Sequence, residues 1–333
     1  MRSEKTAKRM TNANFFNEEQ EESEIQTSEE TKPETKILFV GDMMFDRYIR
    51  QVESKNGNEF VFEKVKNLLS GEDLVVGNLE GPITENVSKS VGTEFGSKEN
   101  YIFTFNPEIA KTLFKKNIKL VNIGNNHILN FEENGVEQTK KYLDGAGIKY
   151  FGNVEHDERN IGVEINEINI GFINYNQFSQ IDIQQTLKSI EETKKRYDIV
   201  VVYAHWGIEY EKNASQKSKE FAHQFVDAGA DLVIGTHPHV VQGKEEYKGK
   251  QIYYSLGNFI FDQYFNPDAT QGLAVEVKIN PAPSCGELSP EEKVSQQAIN
   301  NTGRCGTSPK TFQIDFKDIK LTLQNNGQTK IAD

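Results

Sequence analysis

Short apolar runs that stop abruptly at a glycine or a polar residue punctuate the middle of this chain. Ile37-Leu38-Phe39-Val40 ends in Gly41-Asp42, and Leu74-Val75-Val76 ends in Gly77-Asn78. Leu120-Val121-Asn122-Ile123-Gly124, Ile199-Val200-Val201-Val202-Tyr203 and Leu232-Val233-Ile234-Gly235 repeat the pattern. Continuous rather than alternating apolarity predicts strands covered on both faces. Helical periods fall between or beside them, over residues 60–69, 109–114, 136–143, 183–197 and 221–228. This alternation predicts α/β layers with a largely parallel sheet. Residues 168–175, 251–255 and 272–279 alternate or lack intervening helices and are read as a second, mixed sheet.

The ends differ. Residues 1–36 are polar, rich in Glu and nearly free of aliphatic side chains, the composition of a disordered acidic leader. Residues 37–280 carry the α/β pattern. Residues 281–310 hold Pro281, Pro283, Pro290, Pro309 and both cysteines, Cys285 and Cys305, and are read as an irregular segment in which those two thiols can close one loop. Residues 311–333 follow as C-terminal strand, with 311–323 alternating like an edge strand.

Composition narrows the function. Fifty acids against 38 bases give a net charge of −12, a poor match to a nucleic-acid backbone. Two cysteines exclude a disulfide-rich scaffold and a four-cysteine zinc site. No run approaches the roughly 18 apolar residues of a membrane span. The basic start (Arg2, Lys5, Lys8, Arg9) is not followed by the apolar segment of a signal peptide.

The polar residues that end the apolar runs suggest chemistry, because ligands of open α/β sheets bind at the carboxyl ends of strands. Asp42 ends the first run, Asn78 and Glu80 the second, and Asn125-Asn126-His127 the third. Tyr203 leads to His205, and Gly235 to His237-Pro238-His239. Imidazoles and carboxylates gathered at strand ends are ligands for ions such as zinc, manganese or iron. His156 and His223 lack that setting and are read as structural, and Ser255 as a turn residue. Phosphate-binding glycine loops and serine-nucleophile elbows are missing.

Six motifs in order, over about residues 37–279, resemble the CapA family of bacterial poly-γ-glutamate capsule synthesis proteins. They are Gly41-Asp42-Met43-Met44, Gly77-Asn78-Leu79-Glu80-Gly81-Pro82, Asn125-Asn126-His127, His205-Trp206-Gly207-Ile208-Glu209-Tyr210, Gly229-Ala230-Asp231 through His237-Pro238-His239, and Tyr254 through Asp262. That family is similar to the calcineurin-like metallophosphoesterases. The resemblance implies a four-layer α/β/β/α sandwich with two mixed sheets and one or two divalent transition-metal ions (manganese, iron or zinc) at the strand ends. It implies Asp42, Glu80 (or Asn78 in its place), Asn126, His205, His237 and His239 as metal ligands and His127 as general acid. Met44 stands where the phosphoesterases carry a ligand His. The implied ion held by Asn126, His205, His237 and Glu80 is therefore the better provided, and the one left with Asp42, Glu80 and His239 the weaker. Asn130 stands where the family carries Asp. The family is usually held outside the membrane by an N-terminal helix or lipid, neither of which is seen here.

Two functions follow. One is a hydrolase in which activated water attacks a phosphoester or γ-glutamyl amide while His127 protonates the leaving group, with Asn78, Trp206, Glu209 and Asn258 lining the substrate pocket. The other is a non-catalytic component that binds poly-γ-glutamate among capsule-synthesis subunits.

Overall fold

A computed structural model describes residues 34–152, 160–180, 182–281 and 311–332. The expected leader up to residue 33, His156 and both cysteines lie outside these residues. β1 (Thr35–Met43) leads through α1 (Arg47–Asn56) and α2 (Lys66–Ser70) to β2 (Leu74–Leu79). Then come α3 (Glu108–Lys115), β3 (Ile118–Asn122), α4 (Glu132–Ala146) and β4 (Lys149–Phe151). The next group is β5 (Asn160–Ile165), β6 (Ile168–Asn176), α5 (Ile183–Lys194), β7 (Ile199–His205), α6 (Gln216–Asp227) and β8 (Leu232–Thr236). β9 (Lys244–Tyr247), β10 (Lys250–Tyr253), β11 (Asn258–Ile260), β12 (Gln271–Pro281), β13 (Phe312–Leu323) and β14 (Thr329–Ile331) follow.

The first sheet runs β14-β13-β12-β1-β2-β3-β4, with β11 beside the end of β1; the second runs β5-β6-β7-β8-β10-β9. The first is antiparallel from β14 to β1 and parallel from β1 to β4, whereas the second has a parallel centre between antiparallel edge strands β5 and β9. The apolar runs are continuous because alternate side chains enter different layers. On β1, Leu38 and Val40 pack with Ile49, Phe62 and Leu113 on the helical side, whereas Ile37 and Phe39 pack with Phe172, Val201 and Ile234 between the sheets. On β7, Ile199, Val201 and Tyr203 face that same interface while Val200, Val202 and Ala204 meet Ile190, Ala222 and Phe225 under α5 and α6. The result is an α/β/β/α sandwich of four layers. Removing one ring from the central layer, as in Phe39→Ala, costs about 3–5 kcal/mol.

Several details depart from the expectations. The first β-strand begins at Thr35, which is buried and pairs with Ile279, so residues 35 and 36 belong to the sheet rather than to a leader. The five apolar runs do not share one sheet: β1, β2 and β3 lie in the first, β7 and β8 in the second. Of the three segments read as a second sheet, β6 and β10 join β7 and β8, but β12 pairs with β1 in the first sheet. Its register with β13 sets Pro281 opposite Phe312. α1 has no counterpart in the predicted elements, since Ile49 and Val52 are its only buried aliphatics. Its start is set instead by Asp46, whose carboxylate accepts the Arg47 N–H at 3.0 Å.

Two contacts set the sheets against each other at the functional edge. The Tyr203 hydroxyl donates to the Val40 carbonyl at 2.6 Å, tying β7 to β1. Gly41 is required where β1 passes the turn before β11, because a Cβ there would lie 1.9 Å from the Gly257 oxygen.

Candidate metal centre at the strand ends

Strand register places the polar groups. Asp42, Asn78 and Asn122 are neighbours across β1, β2 and β3, and Asn176, His205 and Thr236 are neighbours across β6, β7 and β8. The two rows meet where the Asp42 carboxylate accepts the His237 N–H at 3.1 Å. Three overlapping sets result: Glu80 with His205 and His237, Asp42 with Glu80 and His239, and Glu209 with His237 and His239. Within each set one potential ligand atom per residue lies within 4.8 Å of the others. Asn126 joins the first set, its Oδ1 being 2.9 Å from His205 Nε2. His239 bridges the acids, with Nδ1 3.3 Å from Asp42 and Nε2 3.5 Å from Glu80.

The donor set fits a cation. Glu80 is wholly buried, and its Oε1 has no hydrogen-bond partner; the same holds for the buried His237 Nδ1. An unpaired buried carboxylate oxygen is costly unless something positive meets it. Burial, then the nearby Asp42 and Glu209 carboxylates, push Glu80 well above the usual range. Burial also keeps two of the imidazoles neutral, with His205 far below its ordinary value and His237 down at about 2, and each is lowered further by the other ring nitrogens around it. Neutral imidazole is the form that binds metal. His205 Nδ1 lies 3.1 Å from the Thr236 hydroxyl and 3.4 Å from the Asn78 amide nitrogen, and its Nε2 lies 2.9 Å from Asn126 Oδ1.

The backbone here is strained. His237, His239 and Tyr210 have φ of 95°, 58° and 67°, in the left-handed half that costs a branched or bulky side chain most. Asn258 stabilises the result. Its Nδ2 donates to Gln263 and to the Ala269 carbonyl, leaving Oδ1 to accept the His239 Nδ1–H at 3.0 Å. That assigns the proton to Nδ1 and turns Nε2 toward Glu80.

The residues expected to line a substrate pocket fall elsewhere. Trp206 is a correction: it is fully buried under α6, stacked on Phe225, with its indole N–H bonded to the Tyr254 carbonyl at 2.9 Å. One step after His205 it takes the opposite face of the sheet, as strand alternation dictates. Asn258 and Asn78 are also wholly buried. Asn78 spends its amide on Asp42 at 2.8 Å and accepts from Asn122 and Asn125, so it orients the acid rather than meeting a ligand. Glu209 is half-buried and stands among the ligand atoms, a placement no apolar run signals, since it lies in the loop after β7. Met44 is buried in the helical-side core, its sulfur accepting the Asp46 N–H. Ser255 accepts the Gly257 N–H at 3.1 Å, a turn role.

His127 stacks on Phe103 with ring centres 4.3 Å apart, and its Nδ1 lies 3.1 Å from Asn130 Oδ1, which also accepts the Phe103 N–H. The ring thus meets acceptors at Asn130 Oδ1 and at the Tyr101 backbone. Burial pushes this imidazole down to about 4. His223 stacks on Tyr247 and bonds Glu245, away from the cluster.

Residues 36–263 match the family described as bacterial capsule synthesis protein PGA_cap. The chain is similar to the PGA biosynthesis protein CapA of Bacillus subtilis, with 33% identity over 245 residues covering 68% of this chain and 63% of the relative. It is similar to the capsule biosynthesis protein CapA of Bacillus anthracis at 29% identity over 248 residues, covering 68% and 60%. The chain thus spans about six-tenths of the length of these relatives. The NAD nucleotidase NadN of Haemophilus influenzae matches in structure with a TM-score of 0.48 and 12% identity, over 90% of this chain and 60% of that one. Among the described residues no helix is long and apolar enough to cross a membrane.

Proposed function

This chain belongs to the bacterial capsule synthesis protein family PGA_cap, and we propose that it is a metal-dependent hydrolase of poly-γ-glutamate capsule biosynthesis, acting on a phosphoester or a γ-glutamyl amide. One observation carries the reading: buried acids and imidazoles converge from both sheets, and two of their atoms, Glu80 Oε1 and His237 Nδ1, have no hydrogen-bond partner among the described residues. Asn126, Glu80, His205 and His237 would hold one divalent ion, and Asp42, Glu80 and His239, with Glu209 at hand, a second. When bound, such an ion supplies polarisation of the phosphoryl or acyl oxygen and activation of water. Asp42 holds the His237 loop, Asn258 fixes the His239 tautomer, and His127 stands beside Asn126 to exchange a proton with the leaving group.

The test is to supply the full chain with manganese, iron and zinc in turn and count bound metal by elemental analysis. Release of phosphate from a generic ester and of glutamate from the polymer is then assayed. Bound metal with turnover of either substrate is the expected result; a chain that takes up none of the three ions overturns the reading. One observation favours a non-catalytic alternative. Asn130 offers His127 an amide where a carboxylate would stabilise the imidazolium, which leaves His127 a weak acid–base group. In that alternative polymer carboxylates bind at the same set without cleavage, and bound metal would be found with no turnover.

A further inference from the structure

An arc of aromatic rings joins the two ends of the cluster. From His239, ring contacts run to Tyr210 (6.2 Å), from Tyr210 to Phe265 (5.7 Å), from Phe265 to Phe95 (4.4 Å) and from Phe95 to Tyr101 (6.4 Å). The Tyr101 backbone in turn hydrogen-bonds the His127 ring. Phe95, Phe265 and Tyr101 are 60%, 52% and 37% exposed, so the arc is a rim that opens to solvent beside the ligand atoms rather than a piece of core. It is held in place: the Tyr210 hydroxyl accepts from Gln263, which accepts from Asn258, the residue that orients His239.

Two cations near this rim are already engaged, while Lys98, between Phe95 and Tyr101 in sequence, is exposed. Lys212, two residues after Tyr210, pairs with Asp268 at 2.8 Å. Arg47 is buried behind Phe103 and Phe261 and pairs with Asp262 and Asn100. Glu209 adds a negative charge among the ligand atoms. A flat apolar group meets exposed ring faces here, whereas a chain of carboxylates has only Lys98 on the rim besides the ions themselves.

We propose that the Tyr101–Phe95–Phe265–Tyr210 arc is a binding subsite for the planar, apolar leaving group of a phosphoester. This deepens the hydrolase reading and rests on it, selecting a phosphoester that bears a ring over the polyanionic polymer. Ring–ring contacts of this kind add to phosphoryl binding at the cluster, so two exposed rings give a preference of about tenfold.

The test is isothermal titration of the full chain loaded with manganese, with 1-naphthylmethyl phosphonate, methyl phosphonate and a γ-linked glutamate trimer as non-hydrolysed probes. The naphthyl compound should bind about tenfold more tightly than the methyl one and more tightly than the trimer. Phe95→Ala with Phe265→Ala should reduce the naphthyl affinity to the methyl level while leaving the methyl affinity unchanged. Phe95→Leu, which keeps apolar area but loses the ring face, should fall between. Equal affinities for the two phosphonates, a double variant that keeps the preference, or a tighter trimer each overturn the subsite. Manganese uptake measured in the same titrations separates the two claims. Uptake without a naphthyl preference removes the subsite and leaves the metal site; a naphthyl preference with no manganese uptake keeps the subsite and removes the metal site.

Discussion

Two buried glutamates, Glu80 and Glu53, look alike by accessibility and differ in company. Both are withdrawn from water, both leave Oε1 without a partner, and both are pushed upward by burial, Glu53 to about 8. Around Glu80 stand Asp42, His205, His237 and His239, groups that offer lone pairs. Glu53 lies on α1 among Ile49 and Val52, with Arg50 and Asp46 as its charged neighbours. Burial alone therefore does not mark a metal site. A single acid in an apolar setting solves its problem by keeping its proton, whereas several acids and neutral imidazoles facing one another solve it with a cation.

The sharpest way to break the comparison is to remove one imidazole. His205→Ala or His237→Ala should abolish metal uptake, a loss beyond the about 10–100-fold that an outer-sphere change costs; elemental analysis after dialysis reads it. Retained stoichiometric metal would make the Glu80 cluster merely polar. His127→Ala should keep the metal and lower turnover by about 10²–10⁴-fold, as loss of a general acid does. Unchanged turnover with full occupancy would support the non-catalytic alternative. Asn258→Ala frees the His239 tautomer without touching a ligand atom, and metal affinity should fall by about 10–100-fold with the fold intact, as measured by competition with a chelator.

The smallest effect belongs to Glu53. Its folded pKa lies above the unfolded one, so the stability it contributes is full below about 4.5 and is lost as pH rises toward 8. Glu53→Gln should therefore melt higher than the parent at pH 8, by a margin of a few kcal/mol. The margin should shrink toward pH 5, with metal uptake unaltered throughout. A margin that is the same at both pH values would show that Glu53 is ionised in the fold.

Much of this arrangement was legible in the sequence because it depends on where strands end. Each apolar run is a strand covered on both faces, and the polar residues just beyond it fall at its carboxyl end; that puts Asp42, Glu80, Asn126, His205 and His237 at strand ends, and the packing of the two sheets brings those ends together. Trp206 could have been read correctly from the same rule, since it alternates with His205 and must face the other layer. Other features carry no such local signal. Glu209 reaches the cluster from a loop whose path is set by the Tyr210 N–H bonding the Pro238 carbonyl, a contact between segments 28 residues apart. The sheet partition depends on which strands pair, and β12 reads like any other alternating strand until β1 is found beside it. Asn78 and Asn258 have side chains suited equally to a ligand or to a neighbour, and only the hydrogen bonds decide.

The pairing of β12 with β13 has a consequence for how this protein tolerates change. Because Pro281 and Phe312 face each other across the ladder, the ends of whatever sequence joins them are already brought together by the sheet. Closing a flexible loop across such fixed ends grows in cost only by about 0.6 kcal/mol for each doubling of its length. β12 also runs antiparallel to β1, which puts this junction at the Thr35 end, roughly 23 Å along the strand from Asp42 at about 3.3 Å per residue. The strand ends at Pro281 and Phe312 thus lie far from the cluster of ligand atoms. Those two strand ends are a place where evolution, or an engineer adding a tether or a second domain, can insert sequence far from the strand ends that carry Asp42 and its neighbours.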